Sequence, residues 1–192
     1  MASEVDICNI ALTAVGSQRI SSLTQNTDTA KACNDVYETI RDALLRSHFW
    51  RFAGARAELE QNATDPICEY DYQYHLPNDY LRDRELYQND SEYIIEGGQL
   101  LTNTDNDAES LYLIYTKRVI NTGLFDPYFA MALAYKIAAH LALSLKENRK
   151  LKETMILAAD FWIKEAYRLS AIEGKPPKKD VTSEHSWVSA GR

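Results

Sequence analysis

Apolar residues recur at helical spacing in four stretches of the chain, two in its first quarter and two in its second half. The first begins at Ser3, which has the spacing of a capping box with Asp6, and is expected to end at Gly16. In the second, the apolar positions from Cys33 to Leu44 follow at steps of four, three and four, which is typical of a helix with one buried face. The pattern predicts helices over residues 4–16, 28–47, 127–146 and 149–173.

The third stretch is apolar on most of its circumference, which predicts a helix at the centre of the fold. Asp126 is a suitable N-cap, and Pro127 fits the first helical position, where no N–H is needed. Lys136, His140 and Ser144 are spaced by four and share one face, which we predict to be an inter-subunit face. His140 suits a hydrogen-bonded position in a helical interface better than a proton switch or a ligand site. No membrane span is expected, because the lysine and the histidine would lie at mid-bilayer.

Between residues 49 and 120 the apolar positions alternate with a period of two, which predicts strands. The alternation is clearest in CEYDYQYHLP, and Gly97 and Gly98 separate two apolar pairs as in a tight hairpin. HFWRFAGARAEL suits a strand that enters a hairpin through the polar turn QNATDP, and LYLIYTKRV suits another strand. We therefore expect an α+β fold, an antiparallel bundle of about four helices with one small, mainly antiparallel sheet inserted between two helical pairs.

Residues 174–192 differ in pattern from the rest of the chain. Gly174 is a natural helix stop, KPPKKD is prolyl and basic, and TSEHSWVSAGR has neither a helical nor a strand period. The pattern predicts an extended C-terminal arm that follows a domain formed by residues 1–173. Trp187, next to Val188, has no obvious core to enter, so it is expected to anchor an interface or, alternatively, to fold back onto its own helices.

The charge balance excludes general affinity for nucleic acid. The chain of 192 residues carries 21 basic and 28 acidic side chains, a net charge of −7. Cys8, Cys33 and Cys68 are odd in number and lack metal-type spacing, so all three are expected to be small buried residues in a reducing compartment. The start of the chain has no secretory pattern, which predicts synthesis in the cytoplasm.

No motif for a nucleophile, a phosphate loop or a metal site occurs, so no catalytic, metal or cofactor residue is predicted. The acidic, tyrosine-rich residues 69–74 are open to a second interpretation as a carboxylate-pair surface that binds sugar. A strand with tyrosines inward and acids in solvent explains them more simply. The acids between Asn103 and Glu109 lack the glycine and the spacing of a calcium loop, which indicates a flexible acidic loop.

Five segments in order, DICNIALTAVGSQRISSL, DYQYHLPNDYLR, YIIEGGQLLTN, IYTKRV and LFDPYFAMALAYKIAAHLA, resemble the tail tubular protein A and head-to-tail adaptor family of short-tailed bacteriophages and related prophages. The resemblance covers Asp6 to Glu173. It implies a structural virion protein that forms a dodecameric ring beneath the portal. Such a ring extends the DNA channel, lets genomic DNA pass without specific binding, and receives the tail nozzle on its far side.

The resemblance also implies a role for the arm, because adaptor subunits commonly send a C-terminal arm into the portal. The arm residues expected to bind the portal are Lys175, Pro176, Pro177, Lys178, Lys179, His185, Trp187 and Val188. Two other classes stay open, a phage-associated cell-wall hydrolase and a monomeric helical interaction module. A zymogram and the genes beside this one distinguish these classes from an adaptor.

Overall fold

The computed structural model describes residues 3–87, 92–104 and 110–172, and this part of the chain contains four α-helices and six β-strands. The predicted α+β class is confirmed, and all six strands lie between the second and third helices. The helices are α1 (Glu4–Ala14), α2 (Asp28–Ser47), α3 (Pro127–Ser144) and α4 (Arg149–Ile172). The strands are β1 (Gly54–Glu58), β2 (Tyr72–His75), β3 (Tyr80–Leu86), β4 (Tyr93–Glu96), β5 (Gln99–Thr102) and β6 (Tyr112–Lys117).

The helices begin at the predicted caps. Ser3 and Asp6 form the capping box of α1, and the Asp126 carboxylate accepts the first free N–H groups of α3. α1 ends at Ala14, two residues before the predicted end, because Gly16 takes a φ of +65° and the N–H of Ser17 bonds to the carbonyl of Leu12. α3 also ends two residues early, at residue 144.

α3 lies at the centre of the helical region and contacts each of the other three helices. Its large side chains Phe129, Leu133, Ile137 and Leu141 are fully buried. Five buried alanines among them let neighbouring helices approach closely: Ala132, Ala134, Ala138, Ala139 and Ala142. This first core extends to Trp50 and contains the buried faces of all four helices.

The strands form two three-stranded antiparallel sheets instead of the single sheet that the pattern predicts. The first sheet has the order β1–β6–β3 and the second the order β2–β5–β4. β1 itself pairs with β6, with Ala57 opposite Leu113, and the predicted hairpin forms only in part, where Gln61, just after β1, pairs antiparallel with Tyr74 of β2. The alternation of polar and apolar residues indicates which side of a strand is buried but not which strand it pairs with.

The hairpin of β4 and β5 is confirmed. Gly97 and Gly98 have φ values of +58° and +80°, as its turn requires. In β2, Tyr74 is buried and His75 exposed, but the predicted alternation does not extend back to Glu69, whose φ is +69°.

The two sheets enclose a second core, separate from the helical one. Asp83 of the first sheet links the sheets, since its carboxylate accepts from Tyr80 at 3.1 Å and from Tyr93 at 3.0 Å. The seven buried residues of this core are Leu59, Tyr74, Leu86, Leu100, Leu111, Leu113 and Tyr115.

The prediction that all three cysteines are buried is right for two of them and wrong for the third. Cys8 and Cys33 are buried at the contact of α1 and α2, whereas Cys68 is exposed. Cys68 lies in the irregular segment between β1 and β2, where no helix or sheet covers it.

Candidate functional site

A groove of about 550 Å³ runs between α2, α3 and α4. Its lining is mainly apolar, with a few polar groups toward solvent, which is the general character of a binding surface. Ile40, Ala43, Leu44, Ile163 and Tyr167 supply the apolar lining, and Thr39, Ser47, Lys136, His140 and Asp160 supply the polar groups.

Two residues of the predicted inter-subunit face line this groove. The Lys136 ammonium lies 3.4 Å from a carboxylate oxygen of Asp160 on α4, and His140 is exposed one turn further along α3. Ser144 is exposed but not among the lining residues, and its hydroxyl donates to the carbonyl of His140 at 3.3 Å. The structure therefore brings Lys136 and His140 together in the groove and leaves Ser144 outside it.

The outer face of α4 carries two large apolar side chains that are exposed to solvent. Leu157 is 71% exposed and Phe161 is 58% exposed, and one helical turn separates them. Large exposed side chains that lie together mark interaction sites more often than isolated ones do.

A second pocket, of about 390 Å³, lies on the side of the first sheet away from the second core. It contains three arginines: Arg51 from the turn before β1, Arg56 from β1 and Arg84 from β3. Gly54, Ala55 and Ile114 complete its lining, and the Ile114 side chain, which is opposite Arg56 in the sheet, supplies an apolar floor.

The local backbone explains why these arginines meet. In β1, Ala55 and Ala57 pack on the second core, so Arg56 points to the other side. Arg84 sits where the pairing of β3 with β6 shifts register, between Asp83 and Glu85. A Cβ at Gly54 would lie 3.2 Å from the Nη1 of Arg84, so the glycine leaves room for the guanidinium.

The lining residues of this pocket carry three positive charges and no carboxylate; an acid close by on the strands is the exposed Glu85 of β3, which lies opposite Ile114. None of the four ion pairs within the described residues involves the three arginines. The Nη2 of Arg84 donates to the Trp50 carbonyl at 2.7 Å, which fixes the guanidinium. Burial and the neighbouring Arg51 hold the pKa of Arg84 below its usual range. Burial, with the charges of Arg84 and Arg82, also lowers the pKa of His48.

Residues 65–71, here named the acidic loop, project from the edge of the second sheet. Ile67 at its tip is 102% exposed, and Asp65, Glu69 and Asp71 are exposed around it. The ends of the loop are anchored: the N–H of Asp71 donates to Asn103 at 2.9 Å, and the Gln73 side chain donates to the Thr64 carbonyl. This structure does not support the sugar-binding interpretation of residues 69–74, since Tyr74 is buried in the second core.

Sequence reasoning missed both the arginine pocket and the acidic loop. The three arginines are scattered among polar and apolar positions, and only the sheet pairing brings them together. A signal for the loop was present, because Ile67 is an isolated large apolar residue in a polar, acidic segment.

The predicted portal-binding residues, all within residues 175–188, lie outside the described residues. So do residues 105–109, which hold the acids of the segment between Asn103 and Glu109 that the sequence predicts to be flexible. In the part of the chain that is described, no group of three His, Cys, Asp or Glu residues is arranged to hold a metal ion. No helix there is both long and apolar enough to cross a bilayer.

No protein-family model matches this chain, and no curated protein is significantly similar to it.

Proposed function

We propose that this chain is a structural virion protein, the head-to-tail adaptor that joins a portal to a tail nozzle in a short-tailed bacteriophage. About twelve copies form a ring in the neck of the virion, after synthesis in the host cytoplasm. The ring extends the channel through which genomic DNA passes without specific binding. The protein acts by assembly and not as an enzyme.

The observation that carries this proposal is the agreement between the segments that resemble the adaptor family and the elements of the fold. The five segments fall, in chain order, on α1, the β2–β3 region, the β4–β5 hairpin, β6 and α3. Each segment thus forms one element or one pair of neighbours. The two sheets, β1 to β6, are together named the β unit. An antiparallel four-helix bundle that carries the β unit is the arrangement we propose for the ring subunit.

The groove between α2, α3 and α4 is the proposed inter-subunit face, with a second copy as its occupant. Lys136 and His140 lie at its polar edge, and its apolar lining is open to solvent. The exposed Leu157 and Phe161 on α4 are apolar side chains of matching character that need burial elsewhere. Burial of such side chains between neighbours offsets the repulsion between subunits of charge −7.

The arm, residues 174–192, is proposed to dock each subunit onto the portal. α4 ends at Ile172 beside the first sheet, where the Nε of Arg51 donates to the Ser170 carbonyl at 2.8 Å. Pro176 and Pro177 restrict the backbone, which lowers the entropy cost of docking. Trp187 is the proposed anchor, repeated around the ring, so that many weak contacts act together.

The test uses the full chain, a truncation after Glu173 and Trp187→Ala, each mixed with portal rings from the same phage. We expect near-normal melting of both variants by circular dichroism. Negative-stain microscopy is expected to show an adaptor layer on portals mixed with the full chain and no layer with the truncation. Normally decorated portals with the truncation would refute the docking role, and a collapsed melting midpoint would show that the arm packs on its own helices.

A control separates the proposed adaptor from a hydrolase. Purified full chain is expected to leave no cleared band in a peptidoglycan zymogram, and clearing by the chain would contradict a purely structural role. Alone at micromolar concentration the chain is expected to be mostly monomeric by light scattering, because identical net charges repel. A stable twelve-subunit ring without portal would count against that expectation.

A further inference from the structure

We propose that the arginine pocket of one copy receives the acidic loop of the next copy, with Ile67 on the apolar floor and the flanking carboxylates on the guanidinium groups. This contact between copies is separate from the one proposed at the groove between α2, α3 and α4. It rests on the proposed function only in assigning the contact to a ring; the contact itself is tested on the free chain.

The pocket has the chemistry of a receptor for an acidic, apolar-tipped segment. Arg51, Arg56 and Arg84 surround the apolar side chain of Ile114, and no carboxylate lies among the lining residues. Guanidinium groups pair with carboxylates in a fixed fork geometry, and such charge-assisted bonds are shorter and stronger than neutral ones. Three arginines that form no ion pair within the described residues, on a chain of net charge −7, indicate a site for an anionic partner.

The acidic loop matches this pocket in charge and shape. Ile67 is 102% exposed, so none of the described residues covers its apolar side chain. Asp65 lies two residues before it and Glu69 two residues after it, so carboxylates flank the apolar tip as the arginines flank the apolar floor. The second sheet and the described loops around it, residues 59–79 and 92–104, contain no lysine or arginine.

A second copy is a better occupant than the chain's own arm or a polynucleotide. α4 comes close to Arg51 at Ser170, but the arm that follows in the sequence is basic, with four basic and two acidic residues in 174–192, so the arginines repel it. The net charge of −7 on the whole chain opposes the approach of a long phosphate backbone. Since the pocket and the loop are different surfaces of one chain, their contact is head-to-tail and generates a ring or an open chain.

The test is a charge exchange between two variants of the full chain. Arg56→Glu places a carboxylate in the pocket, and Asp65→Arg places a guanidinium on the loop; both positions are exposed. Sedimentation velocity follows self-association up to about 1 mM protein at about 20 mM salt, where the Debye length is long enough for surface charges to act. Arg19→Glu, at an exposed arginine outside the pocket, is the control with the same charge change as Arg56→Glu.

We expect each variant alone to self-associate at least about tenfold more weakly than the natural chain, and more weakly than Arg19→Glu. An equimolar mixture is expected to regain association, because each pocket then meets a loop of opposite charge. Ile67→Ser should weaken association as well, whereas Ile120→Ser, at a position 63% exposed and outside the pocket, should not. No association of the natural chain under these conditions, or no recovery in the mixture, would overturn the proposal.

Disulfide trapping locates the contact directly. Cys68 is exposed and next to Ile67, so Ile114→Cys in the pocket floor should form intermolecular disulfides with it under mild oxidation by glutathione disulfide. Ile120→Cys is the control, and equal trapping by the two variants would count against the contact. If the mixture recovers association but portals stay undecorated, the adaptor function fails and the contact stands. If portals are decorated normally by both charge variants, the contact fails and the function stands.

Discussion

The helical region and the β unit of this protein are stabilised by different interactions. α3 is buried on nearly all sides and contributes Phe129, Leu133, Ile137 and Leu141 to a large apolar core. The β unit has a smaller core of seven buried residues, and tyrosine hydroxyls bound to aspartates supplement it. The helical region therefore depends mainly on apolar burial, whereas the β unit of the same chain also depends on hydrogen bonds between tyrosines and aspartates.

The two regions meet through polar contacts. Arg84 donates to the Trp50 carbonyl at 2.7 Å, and Arg118 pairs with Asp42 of α2 at 2.7 Å. Arg46 of α2 donates to the Leu81 carbonyl of β3. Leu81 of β3 and Val119, just after β6, are buried in the helical core, but the two cores have no described buried residue in common, so we expect them to respond separately to substitution.

The largest expected effect is in the helical core. Leu141→Asp buries an unpaired carboxylate at a fully buried position of α3, which costs about 4–5 kcal/mol or more against a total stability of about 5–15 kcal/mol. We expect a chain that is unfolded or barely folded by far-ultraviolet circular dichroism. Leu143→Asp, two residues further and 43% exposed, is the matched control and should melt almost normally. Equal midpoints for both variants would mean that the core is misplaced.

A smaller effect is expected in the second core. Leu100 of β5 is fully buried there, and Leu100→Ala should cost about 2–5 kcal/mol through lost burial and the cavity left behind. Hydrogen exchange should show faster exchange of the strand amides with little change in α3, if the β unit opens as a unit of its own. Leu101→Ala, on the opposite side of β5, is the control. A uniform increase across α3 and the strands would show that the two cores unfold together.

Tyrosine substitutions sharpen the comparison. The Tyr115 hydroxyl in the β unit donates to Asp79 at 2.8 Å, so Tyr115→Phe should cost about 1.5–3 kcal/mol, as is typical of a hydrogen bond to a charged group. The Tyr37 hydroxyl in the helical core is buried and has no hydrogen-bond partner within the described residues. Tyr37→Phe should therefore be neutral or stabilise by up to about 1 kcal/mol. Denaturant unfolding measures both changes in stability from the midpoints, when the slope of unfolding free energy against denaturant concentration stays constant. Equal losses of stability in the two variants would contradict the difference between the two hydroxyls.

The smallest effect at neutral pH, and one that appears only in alkali, concerns Tyr80 and Tyr93. Burial first, and then the shared Asp83 carboxylate, raise the pKa of each to about 12, above the value of about 10 in unfolded chains. Folding therefore favours the neutral phenol. This stabilisation is fully present below pH 10 and is lost as the pH rises through about 12.

Tyrosinate absorbance against pH checks this. Asp83→Asn removes the shared carboxylate, so both tyrosines should titrate at a lower pH than in the natural chain, although burial still keeps them above the unfolded value. An unchanged titration in Asp83→Asn would mean that burial alone sets both pKa values.

Local signals in the sequence determined the helices of this protein. Ser3 with Asp6, and Asp126, each cap a helix at the predicted start, and the Gly97–Gly98 turn forms the predicted hairpin. Helices and tight hairpins make their hydrogen bonds between residues close in sequence, so nearby residues suffice to specify them. α1 and α3 each end two residues before the predicted end, so the pattern locates the end of a helix less accurately than its start.

Only the tertiary structure decided how the strands are shared between two sheets and which side chains meet. β1 finds its partner in β6, almost sixty residues away, and that pairing brings Arg56 and Ile114 into one pocket with Arg84. The groove that contains Lys136 and His140 likewise needs α2 and α4 beside α3. Partners that are distant in sequence are chosen by the packing of the whole chain, and a period of two or of 3.6 residues carries no information about them.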